Sequence, residues 1–412
     1  MVSSAPMAGG RAATVEKVWR QRIEAVVASD ELAELSQRSL VDTIGLLAVL
    51  WVEMIVLLAG ANLLPHLAVA DCASSAPNSE EHLRQMASSV PDPSPDGPPA
   101  PAHDDDSTCP VCGSDRTFLN RSDVCDLEYH VEPARRLVIW KCSHCDSEFV
   151  HPRPTEDELP AFYPSDYHAY NEDHGPVARL LVAARARGRA RFYQGLLSAR
   201  HGRLFDVGTG DCRHFDELRE YCDIECAGVE IQPEVAARGR ERGYDVLTGT
   251  LESADLSGHE GRYDLVSMNH VLEHVVDPAL ALERAHALLR PGGWIVGQLP
   301  TVSSWEAQLF GRNFGGYHYP RHLQVPSKKG LSGLLARTGY VDVHLRTAPH
   351  IQSALSLQNT LVRWGWHPEM KYGKTPAYSA LLLLVLPYEA VAWTADRGGI
   401  MNFRARSVGA TR

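Results

Sequence analysis

The stretch Arg203-Leu-Phe-Asp-Val-Gly-Thr-Gly-Asp-Cys-Arg-His-Phe215 constrains this chain more than any other. Apolar residues run into Asp206, two glycines follow at Gly208 and Gly210, and Phe215, Leu218 and Tyr221 then recur at helical spacing. The pattern predicts a buried parallel strand, a tight turn and a helix, the arrangement that holds a nucleotide-like cofactor at a helix N-terminus. Glycine lets the backbone take positive φ there and lets a ligand approach with no Cβ in the way. A dinucleotide fingerprint would want a third glycine at position 213, where this chain has Arg213, which counts against a dehydrogenase.

Four further motifs follow in order. Cys226-Ala-Gly-Val-Glu230 reads as a second short strand ending in an acid, a carboxylate placed to accept hydrogen bonds from both hydroxyls of a ribose. Tyr244-Asp-Val-Leu247 leads into Thr248-Gly-Thr-Leu-Glu252, and Tyr263-Asp-Leu-Val-Ser-Met-Asn-His-Val-Leu-Glu-His274 comes next. Leu288-Leu-Arg-Pro-Gly-Gly-Trp-Ile-Val296 reads as a helix end, a turn and another strand. Over roughly residues 180–350 this series resembles the class I S-adenosylmethionine-dependent methyltransferases. The resemblance implies an α/β fold, a Rossmann-like seven-stranded sheet with helices on both faces.

It also implies roles. Asp206, Gly208 and Gly210 would hold the methionine part of S-adenosylmethionine, Glu230 the ribose, and Ile231 would pack on the adenine. Glu252 or its neighbours would meet the adenine amine, although the family often has Asp there. Asn269 and His270 would floor the site near the methyl group, and His274 would stand near the cleft. After the fifth strand, the loop from Trp305 to Leu323 carries aromatics with His318, Arg321 and His322 and reads as an acceptor-binding lid. A histidine with its pKa near 6.5 can take a proton from a hydroxyl or amine. His318 or His322 is the expected base in an in-line displacement, with Arg321 orienting an anionic group.

Ahead of this unit, Cys109-Pro-Val-Cys112 and Cys142-Ser-His-Cys145 are separated by 29 residues. Each CxxC aims two thiolates at one ion, and two such knuckles complete a tetrahedral zinc site. Four thiolates leave no open position, so this zinc is expected to be structural. With the Pro-Arg-Pro segment at Pro152–Pro154 and the Tyr-Pro stretch after Phe162, the whole resembles bacterial methyltransferases with an N-terminal zinc ribbon.

The organisation expected is a helical extension over 1–72, a linker rich in Ser, Pro and Asp over 73–107, a ribbon and bridge over 108–170, and a catalytic domain over 171–412. A helix over 177–200 carries arginines on its polar face, read as a solvated face. The last strand pair would be Val341–Thr347 with Ile400–Arg406, leaving an apolar insertion at about 348–399 that could serve as a dimer contact, an apolar lid or an interfacial helix. The run 44–61 is about long enough to cross a bilayer, yet Glu53 sits at its centre, so membrane association through it is left open beside burial in a helical hairpin or against a partner. The N-terminus lacks a secretory pattern and the paired cysteines suit a reducing compartment, so a cytoplasmic setting is expected.

A net charge of −11 disfavours broad nucleic-acid binding. Methyl transfer to a small-molecule or glycan acceptor is therefore the leading reading, with O-, N- and C-transfer all open. An RNA methyltransferase and a non-catalytic cofactor-binding scaffold are the alternatives, and a homodimer stays open.

Overall fold

The computed structural model describes residues 108–163, 176–197, 201–348, 350–366 and 368–408. The expected extension over 1–72 with its apolar run, the linker over 73–107 and part of the bridging segment lie outside the described residues.

Two sheets organise the chain. The smaller begins with β1 (Thr117–Arg121), β2 (Val138–Cys142) and β3 (Glu148–His151). The larger is built from β4 (Gly202–Val207), β5 (Ile224–Glu230), β6 (Asp245–Thr248), β7 (Tyr263–Asn269) and β8 (Leu289–Pro300), all parallel, with β10 (Tyr340–Thr347) and β11 (Ile400–Ser407). Its strand order is β10-β11-β8-β7-β4-β5-β6, and β11 runs antiparallel to both of its neighbours. The seven-stranded sheet and its closing antiparallel pair are those expected. Strand order reverses between β4 and β7, which opens a crevice beyond the carboxyl ends of the strands, where open α/β sheets bind ligands.

The alternation of side chains along each strand separates two cores. Leu204, Leu265 and Val296 face α1 (Pro176–Leu196), α2 (Arg213–Arg219) and α3 (Pro233–Glu241), where they meet Tyr193, Phe215, Leu218 and Ala236. Their chain neighbours Phe205, Val266 and Ile295 face the other way. They pack with Leu282, Ala285 and Leu288 of α4 (Pro278–Leu288) and with Leu331, Leu334 and Leu335 of α6 (Lys328–Arg337). On α1, Arg187 and Arg191 are exposed, as expected of a solvated face.

The ribbon does not stand apart. Its outer strand β3 pairs with β9 (Gln324–Val325), a piece of the catalytic unit, through Glu148↔Val325 and Phe149↔Gln324. Cys109, Val111, Cys142, Cys145 and Phe149 join the same core as α6. At Gly330 any Cβ would press on Ser147 and Val111, so glycine there permits the close approach of helix and knuckle.

The insertion between the last two strands is a helical hairpin, α7 (Ser353–Arg363) and α8 (Tyr378–Thr394). Leu357, Leu361, Val385, Tyr388 and Ala392 close it against Phe310 of the short helix α5 (Trp305–Phe310). Among the described residues no helix is long and apolar enough to cross a membrane. Two carboxyl groups are buried where the hairpin meets α5, Glu389 on α8 and Glu306 on α5. Glu306 accepts a hydrogen bond from Ser356 Oγ (2.5 Å), and Glu389 accepts from Ser353 N (2.8 Å) and Oγ (2.6 Å). Burial pushes both up, Glu389 to about 7. A carboxyl raised on folding contributes stability that is complete below its ordinary range, and that is lost as pH rises through the raised value. The hairpin is therefore expected to lose on the order of 2–3 kcal/mol between about pH 4.5 and 7. Urea titrations across this range should show a flatter pH dependence for Glu389→Gln; equal slopes in variant and parent would refute it.

Candidate active site

The glycine turn forms at the end of β4. Gly208 (φ 77°) and Gly210 (φ 55°) both occupy the left-handed region. Gly208 N donates to Val229 O (2.8 Å), and the space beside Gly210 is open to at least 4 Å. Turn and second strand are in close contact at Gly228, where a Cβ would strike the Asp206 carbonyl and the Thr209 methyl. Sequence reasoning missed Gly228; the available signal was a glycine inside an apolar strand, which marks close approach of another backbone.

Glu230, at the end of β5, is buried and holds this turn. Its Oε2 accepts from Gly210 N (2.9 Å) and its Oε1 from Gln232 N (3.0 Å). A carboxylate oxygen has two acceptor directions, so each still has one for a ribose hydroxyl. Asp206 is buried between His214 Nε2 (2.9 Å) and Ser267 Oγ, which donates to it. His214 was not singled out in the sequence, and nothing in its local pattern marked it.

Two features at the far side of the turn suit an adenine. Ile231 is 56% exposed, an unusual exposure for isoleucine, directly after the acid. Glu252 has a buried Oε2 that accepts no hydrogen bond, and burial pushes its carboxyl up. A buried acceptor without a donor is costly, and an exocyclic amine would supply the donor. The chain's residues thus fit the cofactor implied by the motifs.

On the other side of the crevice stands the segment after β7. His270 takes φ 54° and its side chain is 41% exposed. Its Nδ1 lies 3.2 Å from Glu273 Oε1 and its Nε2 3.2 Å from Gln298 Oε1. Burial alone would lower its pKa, but the Glu273 carboxylate outweighs that and raises it. Glu273 is fully buried; burial pushes it up, and His270 more than compensates and holds it low. His274 Nδ1 lies 3.1 Å from Arg321 O and 3.0 Å from Tyr163 Oη. His322 Nδ1 lies 2.8 Å from Gly316 O. A carbonyl oxygen only accepts, so both Nδ1 atoms carry the proton and both Nε2 atoms keep a lone pair. The two rings meet edge-on at 4.6 Å, and burial pushes both pKa values down. Burial thus favours the neutral form of both imidazoles.

The loop expected as a lid is instead a seam. Phe314, Tyr317 and Tyr319 are buried against Leu137, Ile139, Val150 and Phe162 of the ribbon side. His318 Nδ1 lies 2.7 Å from Glu128 Oε2, and its ring is 5.1 Å from that of His322. Arg321 also departs from its expected role. It is fully buried in a two-pronged ion pair with Asp126 (2.8 and 3.0 Å), with its guanidinium 4.8 Å from the Tyr129 ring. An arginine neutralised by a buried aspartate braces the fold and has no field left for an acceptor's anion. Of the three loop residues, only His322 is brought to His274.

The four ribbon cysteines converge. Cys109 Sγ and Cys145 Sγ are 3.7 Å apart, Cys112 Sγ and Cys142 Sγ 3.6 Å, and all four lie within 4.8 Å of one another. Zinc–sulfur bonds of about 2.3 Å in a tetrahedron put sulfurs about 3.8 Å apart, so the set fits a zinc ion. The neighbouring Cys145 pushes the Cys109 thiol up, so four thiolates this close need a cation to neutralise them.

Residues 181–345 match the family described as a methyltransferase domain, and this part of the chain is an S-adenosylmethionine-dependent methyltransferase domain. The ubiquinone biosynthesis O-methyltransferase of Paraburkholderia xenovorans is 32% identical over 94 residues, 18% of this chain and 40% of the relative. That of Hydrogenovibrio crunogenus is 30% identical over 112 residues, 26% of this chain and 46% of the relative. The chain thus spans less than half the length of these curated relatives. A solved Thermotoga maritima S-adenosylmethionine-dependent methyltransferase, described as a possible histamine N-methyltransferase, is 21% identical with a TM-score of 0.36, over 55% of this chain and 92% of that one.

Proposed function

We propose that the chain transfers the methyl group of S-adenosylmethionine to a hydroxyl oxygen of a small molecule held between the segment after β7 and His322. The observation that carries this reading is the adjacent imidazole pair, His274 and His322, each with Nδ1 at a backbone carbonyl, which leaves Nε2 as the atom to take a proton. The sulfonium supplies an activated methyl group when bound. Glu230 and the glycine turn bind and orient the ribose and methionine ends, Ile231 shields the adenine face, and Glu252 accepts from its amine. The acceptor hydroxyl loses its proton to the Nε2 of His322 as the oxygen takes the methyl. Glu273 balances the charge that builds on the imidazole cluster. The choice of oxygen is supported by two relatives whose names describe O-methyltransferases, and the choice of a small molecule by the acidic chain and the absence of a basic track in the 305–323 loop.

The test is a transfer assay with methyl-labelled S-adenosylmethionine against phenolic, sugar and amine acceptors, with RNA as a fourth class. Label should appear in a hydroxyl acceptor, and His322→Ala should lower the rate by about 10²–10⁴-fold with cofactor binding retained. Label on RNA alone, or an undiminished rate in the variant, would sink this reading.

A further inference from the structure

The imidazole pair has a third member. Glu273, His274 and His322 each offer one ligand atom, and these atoms lie within 4.8 Å of one another. Glu273 is 0% exposed, and its Oε2 accepts no hydrogen bond although its Oε1 faces His270. A carboxylate oxygen left bare in the interior is costly unless something positive meets it. The two rings are fixed in the way metal-ligating histidines usually are, with Nδ1 donating to a backbone carbonyl and Nε2 presented. Gly316 O sets His322 and Arg321 O sets His274. The backbone locks the cluster as well, because Glu273 O accepts from Leu323 N (2.7 Å), joining the two segments that carry the ligands.

We propose that Glu273, His274 and His322 form a second metal site, which takes a divalent transition-metal ion and is separate from the four-cysteine zinc site. Two neutral nitrogens and one carboxylate oxygen suit Mn²⁺, Fe²⁺, Co²⁺ or Zn²⁺; Mg²⁺ and Ca²⁺ prefer all-oxygen shells. Three protein ligands leave positions open, in contrast to the closed ribbon site. The inference rests on the acceptor lying at this cluster; with its Nε2 on the ion, His322 would serve as a ligand in place of the base proposed above. An acceptor hydroxyl bound to the ion would lose its proton to water, its oxygen would form the bond to the methyl carbon, and the sulfur–methyl bond would break. The acceptors favoured would be those with an oxygen able to coordinate.

The protein, with zinc retained in the ribbon, can be titrated with Co²⁺ while its visible spectrum and heat of binding are followed. One further equivalent should bind, with d–d bands and no new thiolate-to-cobalt charge-transfer band. Glu273→Gln and His322→Gln should each weaken it at least tenfold, and S-adenosylmethionine binding in the same samples reports that the fold is intact. His274→Gln serves as a third variant should either of these fail to fold. Co²⁺ that fails to bind to cofactor-competent protein, or that binds equally to the folded variants, overturns the site. Methyl transfer that persists without added metal, beside absent Co²⁺ binding, would remove the ion and leave the imidazole base standing. Co²⁺ bound as expected, with no methyl transfer to any acceptor, would fail the function and keep the site.

Discussion

Replacing Glu230 by alanine is expected to abolish useful cofactor binding. The carboxylate makes two backbone hydrogen bonds, to Gly210 N and Gln232 N, and has one acceptor direction per oxygen left for the ribose hydroxyls. Hydrogen bonds to a charged group contribute about 1.5–3 kcal/mol, so losing the ribose contacts alone should weaken S-adenosylmethionine by about tenfold to more than a hundredfold. The same substitution unties Gly210, whose left-handed conformation shapes the turn, and this adds to the loss. Calorimetric titration of parent and variant provides the check, with NAD as a control ligand. A variant that binds S-adenosylmethionine within threefold of the parent would show that the acid only ties the turn.

Stripping zinc from the ribbon is expected to have the largest effect on stability. The free energy of binding a structural zinc, about 10–16 kcal/mol in small zinc domains, is folding free energy for the residues around it. Here those residues are part of the main core: Cys109, Cys142 and Cys145 are buried with Leu331 and Leu335 of α6. Ser327 Oγ, at the start of α6, donates to Cys145 O, and β3 pairs with β9 only two residues past His322. Chelation, or Cys142→Ser, should lower the midpoint of thermal unfolding by 10 °C or more, on the order of several kcal/mol for a protein of this size. Methyl transfer should fail before cofactor binding, because the ribbon braces His322 while Glu230 sits on the opposite side of the crevice. Metal analysis beside a thermal melt settles the point: zinc-free protein melting within 2 °C of the parent would make the ribbon a passenger.

The parallel strands, the glycine turn and the cysteine knuckles were legible because each is written locally. Apolar runs ending in Asp206 and Glu230, glycines needing positive φ at 208 and 210, and two CxxC pairs each carry their geometry within a few residues. The order of these motifs then dictates the sheet, since right-handed crossovers leave few ways to connect such strands.

The loop between β8 and α6 was not legible in that way. His318, Arg321 and His322 stand within five positions of one another, and by type and spacing any of them could have served an acceptor. Their partners distinguish them: Arg321 meets Asp126, 195 positions away, His318 meets Glu128, and His322 meets His274. Which anion neutralises a buried cation depends on contacts made only when the ribbon docks, because a charge leaving water must take whatever opposite charge the packing brings to it. The sequence by itself determined the fold, the glycine turn with its acid Glu230, and the cysteine cluster. The tertiary structure decided which polar side chains are spent on holding the ribbon and which gather beside His274, since desolvation and pairing are properties of the packed interior and not of the local chain.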